Sequence, residues 1–156
     1  HQLVTVQGSY SYTNAEFDEY TLSSGEDLTG MKVPGQVPHQ LQASVRVGPS
    51  AWYVDVGAEY AGEVPVNDIN CLDPIATTPC APDRSGFTEA YTLFGARIGA
   101  NAFQLGPVEI SPFAGIQNLT DETYIASVTV NAFGSRFYEP GPGRTFYVGG
   151  SLAVSR

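Results

Sequence analysis

The feature that most constrains the fold of this chain is an alternation of apolar and polar side chains in separate runs of about ten residues. The run at residues 145–154 shows it most clearly. Its apolar parity consists of Phe146, Val148, Gly150, Leu152 and Val154, and its small or polar parity of Thr145, Tyr147, Gly149, Ser151 and Ala153. Because successive side chains of a strand point to opposite faces, the pattern predicts a sheet with one apolar face and one polar face.

Six runs of this kind predict an all-β chain whose strands follow one another as an antiparallel up-and-down meander. The predicted strands cover residues 3–13, 39–47, 51–62, 87–100, 108–119 and 145–154. The connections between them alternate in length, with short turns at residues 48–50 and 104–107 and long loops at residues 14–38, 63–86 and 120–143. We therefore expect all the short turns at one edge of the sheet, which we call the trimmed rim, and all the long loops at the other, which we call the elaborate rim. With 17 Gly, 11 Pro and one Met, the composition favours strands and turns over helices.

The ionisable residues within the predicted strands share the parity opposite to the apolar side chains. They are Arg46, Asp55, Glu59, Glu89, Arg97 and Glu109. Parity alone fits a soluble sandwich or a lipocalin-like barrel as well as a membrane wall. The unequal rims, the strand lengths and the aromatic residues near the strand ends favour part of a transmembrane β-barrel, whose apolar face meets lipid.

The chain carries a formal charge of −9, and most of its acidic residues lie in the predicted loops. These are Glu16, Asp18, Glu19, Glu26, Asp27, Glu63, Asp68, Asp73, Asp83, Asp121, Glu122 and Glu139. This distribution disfavours a nucleic-acid partner, because phosphates require a basic surface. The acidic loops predict a face kept hydrated by charge, with attraction of a cationic ligand as the alternative.

The two cysteines, Cys71 and Cys80, lie in one predicted loop and are expected to form a disulfide, which requires an oxidising compartment. The only histidines are His1 and His39, so further metal ligands are missing near the cysteines, and we predict neither a metal site nor a cofactor. The same scarcity argues against an enzyme, since nothing in the sequence brings a Ser and an Asp to His39. No catalytic residue is assigned.

A more specific signal lies near the end of the chain. The rigid turn Pro140-Gly-Pro-Gly143 follows the segment Asn118-Leu-Thr-Asp-Glu-Thr-Tyr124 and precedes Arg144 and an aromatic-rich strand. This combination resembles the end of TonB-dependent outer-membrane receptors, whose barrels close with an NL-x-D-x-x-Y and YEPGP-x-R pattern. Residues 10–16 and 33–39 look like the preceding strands and loop of the same family, so the resemblance spans nearly the whole chain.

The resemblance implies a barrel of about 22 strands with a plug domain inside it, which imports a siderophore, cobalamin, haem or a sugar. Six strands match only the final part of such a barrel. We therefore expect residues 1–156 to be its C-terminal segment, without the plug and the earlier strands. The chain begins at His1 with neither Met nor a signal peptide, which indicates processing or truncation.

The resemblance also implies the partners and the location. The expected partners are outer-membrane lipid, the plug domain, the remaining barrel strands and, indirectly, the TonB system. The expected location is the outer membrane of a Gram-negative bacterium, with the long loops outside and the C-terminus in the periplasm.

Within a receptor of this kind, the six ionisable residues of the polar parity would face the lumen. They are candidates to contact the plug, or else they hydrate the lumen and pair with one another. Ligand contacts would come from the long loops, where Tyr20, Arg84, Tyr124 and Arg136 are best suited to hold an aromatic or anionic ligand. In a structural role, Glu139 and Arg144 flank the rigid turn and are expected to pair across it.

Two other classes of function stay open at this point. A small stand-alone β-barrel could bind a ligand or a partner by itself, and a surface protein could present these loops for adhesion.

Expression without detergent separates the receptor segment from a stand-alone soluble barrel. A membrane wall exposes its apolar face, so we expect the purified chain to aggregate in plain buffer and to become monodisperse once detergent covers that face. Size-exclusion chromatography with and without detergent measures this. A monodisperse monomer in plain buffer would contradict the receptor assignment.

Overall fold

The computed structural model describes residues 3–71, 86–133 and 138–154, and the regular elements in them are β-strands. In chain order they are β1 (Val4–Tyr12), β2 (His39–Val47), β3 (Trp52–Ala61), β4 (Tyr91–Ala100), β5 (Phe103–Leu105), β6 (Val108–Gln117), β7 (Ile125–Val128), β8 (Tyr138–Pro140) and β9 (Thr145–Val154). Six of these strands have nine or ten residues, and three are short. The described residues contain no helix of the length and apolarity that a membrane crossing needs.

The six long strands form one sheet in the order β1-β2-β3-β4-β6-β9, and each neighbouring pair is antiparallel. The predicted all-β meander is thus confirmed. Because the strands alternate in direction, the three long connections, β1 to β2, β3 to β4 and β6 to β9, leave from the same rim. The short connections lie at the opposite rim.

Three details differ from the prediction. The fourth strand begins at Tyr91 rather than at residue 87, because Phe87 instead forms an isolated bridge with Pro65. The predicted turn at residues 104–107 contains β5, which pairs with the start of β6 across Gly106, whose φ is 64°. The predicted loop at residues 120–143 contains the small β7–β8 hairpin. These short strands carry too few residues for alternation to reveal them.

The register places the apolar side chains of neighbouring strands side by side. One row of direct partners crosses all six long strands and consists of Val6, Val45, Val56, Ala96, Ile116 and Phe146. The residues at the two ends of this row are exposed, Val6 at 70% and Phe146 at 75%. We call this side the apolar face and the opposite side the polar face. A soluble sandwich would bury the apolar face under a second sheet, and the described chain has no such layer.

The sheet is open at both sides. β1 pairs only with β2 and β9 pairs only with β6, so strand pairing does not join the two outer strands of the described chain. Outer strands carry unpaired backbone N–H and C=O groups, which hydrocarbon does not tolerate. The described strands therefore do not form a closed barrel by themselves.

The best-buried side chains lie in the connections rather than between the strands. Among the described residues, Leu28, Val66 and Cys71 are the largest fully buried side chains, with exposed fractions of 1%, 0% and 2%. Each belongs to a long connection at the elaborate rim. The hydrophobic core of the described chain therefore sits above the sheet, at the rim.

On the polar face, aromatic rings lie over glycines of the neighbouring strand. Gly99 is the direct partner of Tyr53, and Gly149 is the direct partner of Phe113. A Cβ atom added to Gly99 would lie 2.4 Å from atoms of the Tyr53 ring, and one added to Gly149 would lie 2.7 Å from the ring of Phe113. Glycine is needed at these positions because each ring occupies the place of a side chain on the next strand.

We predict that Gly99→Ala destabilises the sheet, whereas Gly57→Ala on the same face is tolerated. The new methyl group at residue 99 must displace the Tyr53 ring, at a cost of about 1–3 kcal/mol typical of overpacking. At Gly57 the nearest atom to an added Cβ is 3.5 Å away, which is ordinary contact. Urea unfolding in detergent compares the two variants, and equal midpoints would show that the ring does not constrain residue 99.

Candidate functional site

The polar face carries a wide groove of about 980 Å³. Four of the six predicted polar-parity residues line it, namely Arg46, Asp55, Glu59 and Arg97. Its floor consists of small residues, among them Ser44, Gly57 and Gly95. The groove therefore combines charged side chains with a floor of small residues and has room for a large partner.

The other two residues of the predicted set lie elsewhere. Glu109 lies on β6, and its Oε2 accepts a hydrogen bond from Nε2 of Gln104 at 3.2 Å, near the trimmed rim. Glu89 precedes β4 and is exposed, so the prediction that it belongs to a strand is wrong. Its parity matched the strand pattern, but the chain becomes a strand only at Tyr91.

Arg46 and Asp55 are direct cross-strand partners and form a two-pronged ion pair. Nε of Arg46 donates to Oδ1 of Asp55 at 2.6 Å, and Nη2 donates to Oδ2 at 2.8 Å. The guanidinium also lies 4.4 Å from the centre of the Tyr53 ring. Both oxygens of Asp55 are thus engaged by a single arginine.

Arg97 is also a direct cross-strand partner of Asp55, on the other side. Its guanidinium lies 3.8 Å from the centre of the Phe113 ring. Its Nε is buried and has no hydrogen-bond partner among the described residues. The groove therefore presents one arginine that is paired and one that is not.

At the elaborate rim, Asn118 joins the end of β6 to the rigid turn. Its side chain is buried, at 5% exposure for the residue. Nδ2 donates to the carbonyl oxygens of Glu122 (2.8 Å) and Pro142 (3.2 Å), while Oδ1 accepts from the N–H of Glu122 (2.8 Å). One amide group thus satisfies three backbone groups from two parts of the loop.

Asp121 makes the second link to the same turn, because its Oδ1 accepts a hydrogen bond from the backbone N–H of Arg144 at 2.8 Å. The predicted ion pair between Glu139 and Arg144 is wrong, since it is absent from the ion pairs of the described residues. Glu139 instead accepts a hydrogen bond from Oγ1 of Thr129 at 3.0 Å. The motif that carries the family resemblance thus has a structural role here.

Of the four predicted ligand-binding residues, Tyr124 lines the groove and Tyr20 does not. The Tyr124 ring lies 4.5 Å from the ring of Tyr91 and covers Gly141, whose N–H donates to the Tyr124 carbonyl oxygen at 2.9 Å. Tyr20 packs on Phe17, with ring centres 4.7 Å apart. Arg84 and Arg136 lie outside the described residues, so their roles stay predictions.

The long connections at the elaborate rim are joined to one another through asparagines. Oδ1 of Asn70 accepts from the N–H of Lys32 at 2.8 Å, and Nδ2 of Asn70 donates to the Lys32 carbonyl at 2.9 Å. Oδ1 of Asn131 accepts from the N–H of Asp68 at 3.1 Å, and its Nδ2 donates to Oδ2 of Asp68 at 3.0 Å. Segments of all three long connections therefore pack together, and we call residues 14–38, 62–71 and 128–131 the rim cluster.

Two carboxylates of the rim cluster are stabilised in their ionised form. The hydrogen bond and charge of Lys32, whose Nζ lies 2.5 Å from Oε1, lower the pKa of Glu16. Hydrogen bonds from the side chain and the backbone of Thr29 lower the pKa of Asp27. Both contributions to stability are present above the ordinary carboxyl pKa and are lost as the pH falls through the lowered values.

Cys71 is buried within the rim cluster, where its N–H donates to Oδ1 of Asn67 at 3.0 Å. Its predicted disulfide partner, Cys80, lies outside the described residues, so the disulfide stays a prediction. No group of three or more His, Cys, Asp or Glu residues that could hold a metal ion occurs in the described ranges.

Sequence reasoning named Asn118 only as part of the family motif, and it singled out neither Asn70 nor Asn131. Asn70, Asn118 and Asn131 all adopt a positive φ, between 50° and 53°. Asparagine tolerates this left-handed conformation better than most residues; Asn70 and Asn131 lie in predicted loops, and Asn118 lies near the end of a predicted strand. The residue type was the available signal, but the partners are distant in sequence and only the fold brings them close.

No protein-family model matches the chain. Among solved structures, the unliganded ferric citrate transporter FecA matches with a TM-score of 0.76 and 22% identity, covering 97% of this chain and 21% of FecA. The ferric-catecholate import receptor Fiu of E. coli K12 matches with a TM-score of 0.63, 21% identity, and coverage of 97% and 19%.

A third match is BauA, the ferric preacinetobactin receptor of Acinetobacter baumannii, with a TM-score of 0.68, 13% identity, and coverage of 97% and 20%. The chain thus spans about a fifth of the length of each of these proteins. At such identities the likeness establishes the fold. The chain has an all-β antiparallel fold that matches part of these three proteins, so the predicted fold class is confirmed.

We predict that Asn118→Gly destabilises the chain by about 1–3 kcal/mol, since two carbonyl groups and one N–H lose their partner. Glycine keeps the positive φ, so the change isolates the amide. The matched control is Asn101→Gly, which removes an exposed hydrogen bond to the Ser50 carbonyl at 2.8 Å. Urea unfolding in detergent should show a clearly larger loss of stability for residue 118, and equal losses would refute the structural role of the Asn118 amide, which we call the asparagine clamp.

Proposed function

We propose that residues 1–156 are the C-terminal segment of the β-barrel of a TonB-dependent outer-membrane receptor. The full receptor would take up a siderophore, cobalamin or a similar ligand. The proposal rests on the apolar face, which crosses six register-matched strands without a covering layer while the charged side chains line the opposite face. In a membrane barrel the apolar face would contact lipid hydrocarbon, and the charged face would line a hydrated interior.

The likeness to FecA, Fiu and BauA supports the same proposal, because all three are transporters or receptors of ferric compounds rather than enzymes. We accordingly propose a role in transport and not in catalysis. The partners would be outer-membrane lipid on the apolar face, the plug domain on the polar face, the remaining barrel strands at β1 and β9, and indirectly the TonB system.

The proposed orientation places the elaborate rim outside the cell and the C-terminus in the periplasm. In this orientation the rim cluster and Tyr124 lie on the side from which a ligand arrives. The oxidising environment outside the cell would also allow the predicted disulfide between Cys71 and Cys80. The stand-alone barrel is not favoured, because the described sheet leaves its two outer strands unpaired.

The test uses the only tryptophan of the chain, Trp52, which is 49% exposed at the start of β3 on the apolar face. The chain is purified in a detergent with brominated acyl chains, since bromine quenches tryptophan fluorescence on contact. We expect strong quenching of Trp52, because detergent chains take the place of lipid on this face.

Two variants give matched controls in a Trp52→Phe background. Val56→Trp places the probe in the middle of the apolar face, and Ser44→Trp places it on the polar face, within the groove. We expect quenching for the change at residue 56 and little at residue 44. Equal quenching at both positions, or no quenching of Trp52, would overturn the proposed lipid wall.

A further inference from the structure

The charged side chains of the polar face are unevenly paired. Thr5, Arg46, Asp55, Arg97, Gly115 and Tyr147 form one row of direct partners across the six long strands. The row holds two guanidinium groups and one carboxylate. Arg46 engages both oxygens of Asp55, and Arg97 forms no ion pair among the described residues.

Arg97 is nevertheless held in a fixed position. Its guanidinium stacks 3.8 Å from the centre of the Phe113 ring and lies 5.8 Å from that of Tyr53. The Phe113 ring itself rests over Gly149. Stacking of this kind orients the planar fork of the guanidinium without using its donors.

The free donors of this fork open on the groove. Nε is the buried nitrogen of Arg97 that has no partner, whereas Nη1 and Nη2 are not among the buried unpartnered atoms of the described chain. Arg97 lines the groove, and its two Nη groups are neither buried without a partner nor hydrogen-bonded within the described chain, so they are available to an occupant. Two parallel N–H donors at the end of a rigid fork match the two oxygens of a carboxylate.

The surroundings of Arg97 suit a polypeptide better than a small anion. The groove measures about 980 Å³, and Ser44, Gly57 and Gly95 keep its floor low. A chain can therefore approach the sheet closely and bring a side chain to Arg97. Glu59 lines the same groove, four positions along β3 from Asp55, so the groove carries both signs of charge, which favours an occupant with mixed charges.

We propose that Arg97 anchors the carboxylate of an Asp or Glu side chain, carried by a polypeptide that packs against the polar face. The proposal rests on the proposed function, in which this face lines an interior filled by another domain. It adds that the contact is an arginine–carboxylate pair, that Arg97 provides it, and that Arg46 does not.

The experiment follows the arginine Nε–Hε signals of the ¹⁵N-labelled full chain in detergent by NMR, assigned with single Arg→Lys variants. The probe is N-acetylglutamate α-amide, which carries one side-chain carboxylate. We expect a saturable shift of the Arg97 signal, because binding at Nη changes the electronic environment of Nε. The Arg46 signal should stay in place, since its guanidinium is already paired.

N-acetylglutamine α-amide, which is neutral and nearly the same shape, is the ligand control and should shift neither signal. The variants at residue 97 lack the Arg97 signal, so binding to them, and to the unchanged chain for comparison, is measured from the broadening of the probe's own ¹H signals. Arg97→Gln should weaken binding of the carboxylate probe at least about tenfold, and Arg97→Lys should keep part of it, because the charge remains and the fork is lost. An unchanged Arg46 signal in each variant shows that the sheet is intact.

Equal shifts of Arg46 and Arg97, or a response to the neutral probe as large as to the acidic one, would overturn the proposal. So would unchanged affinity in Arg97→Gln with the Arg46 signal in place. These outcomes are independent of the proposed receptor assignment, which is decided by quenching of Trp52 on the opposite face.

Discussion

The structure depends on one constraint, which is that an apolar sheet face six strands wide has no protein layer to cover it. The register brings Val, Ile, Ala and Phe side chains of neighbouring strands together on this face, so each strand extends the same apolar surface. Soluble monomers rarely expose an apolar surface of this extent. A hydrocarbon environment explains at once the exposed valines, the small side chains among them, and the placement of the charged groups on the other face.

The polar face follows from the same requirement, because the residues that cannot meet lipid must be satisfied there. Arginines are held flat against aromatic rings, and the rings fit because glycines stand opposite them, as at Tyr53 and Gly99. Each arginine thus depends on an aromatic ring, and each ring depends on a glycine of the neighbouring strand. The result is a wall on which the guanidinium groups of Arg46 and Arg97 lie over aromatic rings.

The rim solves a different problem. A single sheet layer has no interior of its own, so the long connections supply one, built around Leu28, Val66 and Cys71. Asparagine amides join the connections by pairing with backbone groups, which a buried loop would otherwise leave unsatisfied. The rim cluster is thus packed in the manner of a small domain. The long connections are thus held in place by their own contacts.

The sequence by itself determined the strands, their two faces and the alternation of long and short connections, because a period of two is a local property of the backbone. It also placed Arg46, Asp55, Glu59 and Arg97 on one face. It did not determine β5 or the β7–β8 hairpin, which are too short to show a period, and it misplaced Glu89 by extending a pattern beyond the strand. Only the tertiary structure decided which arginine takes Asp55 and which stays unpaired, since both lie directly across from that carboxylate in the register. It alone revealed the asparagine clamps, because their partners are brought together by the fold and not by their positions along the chain.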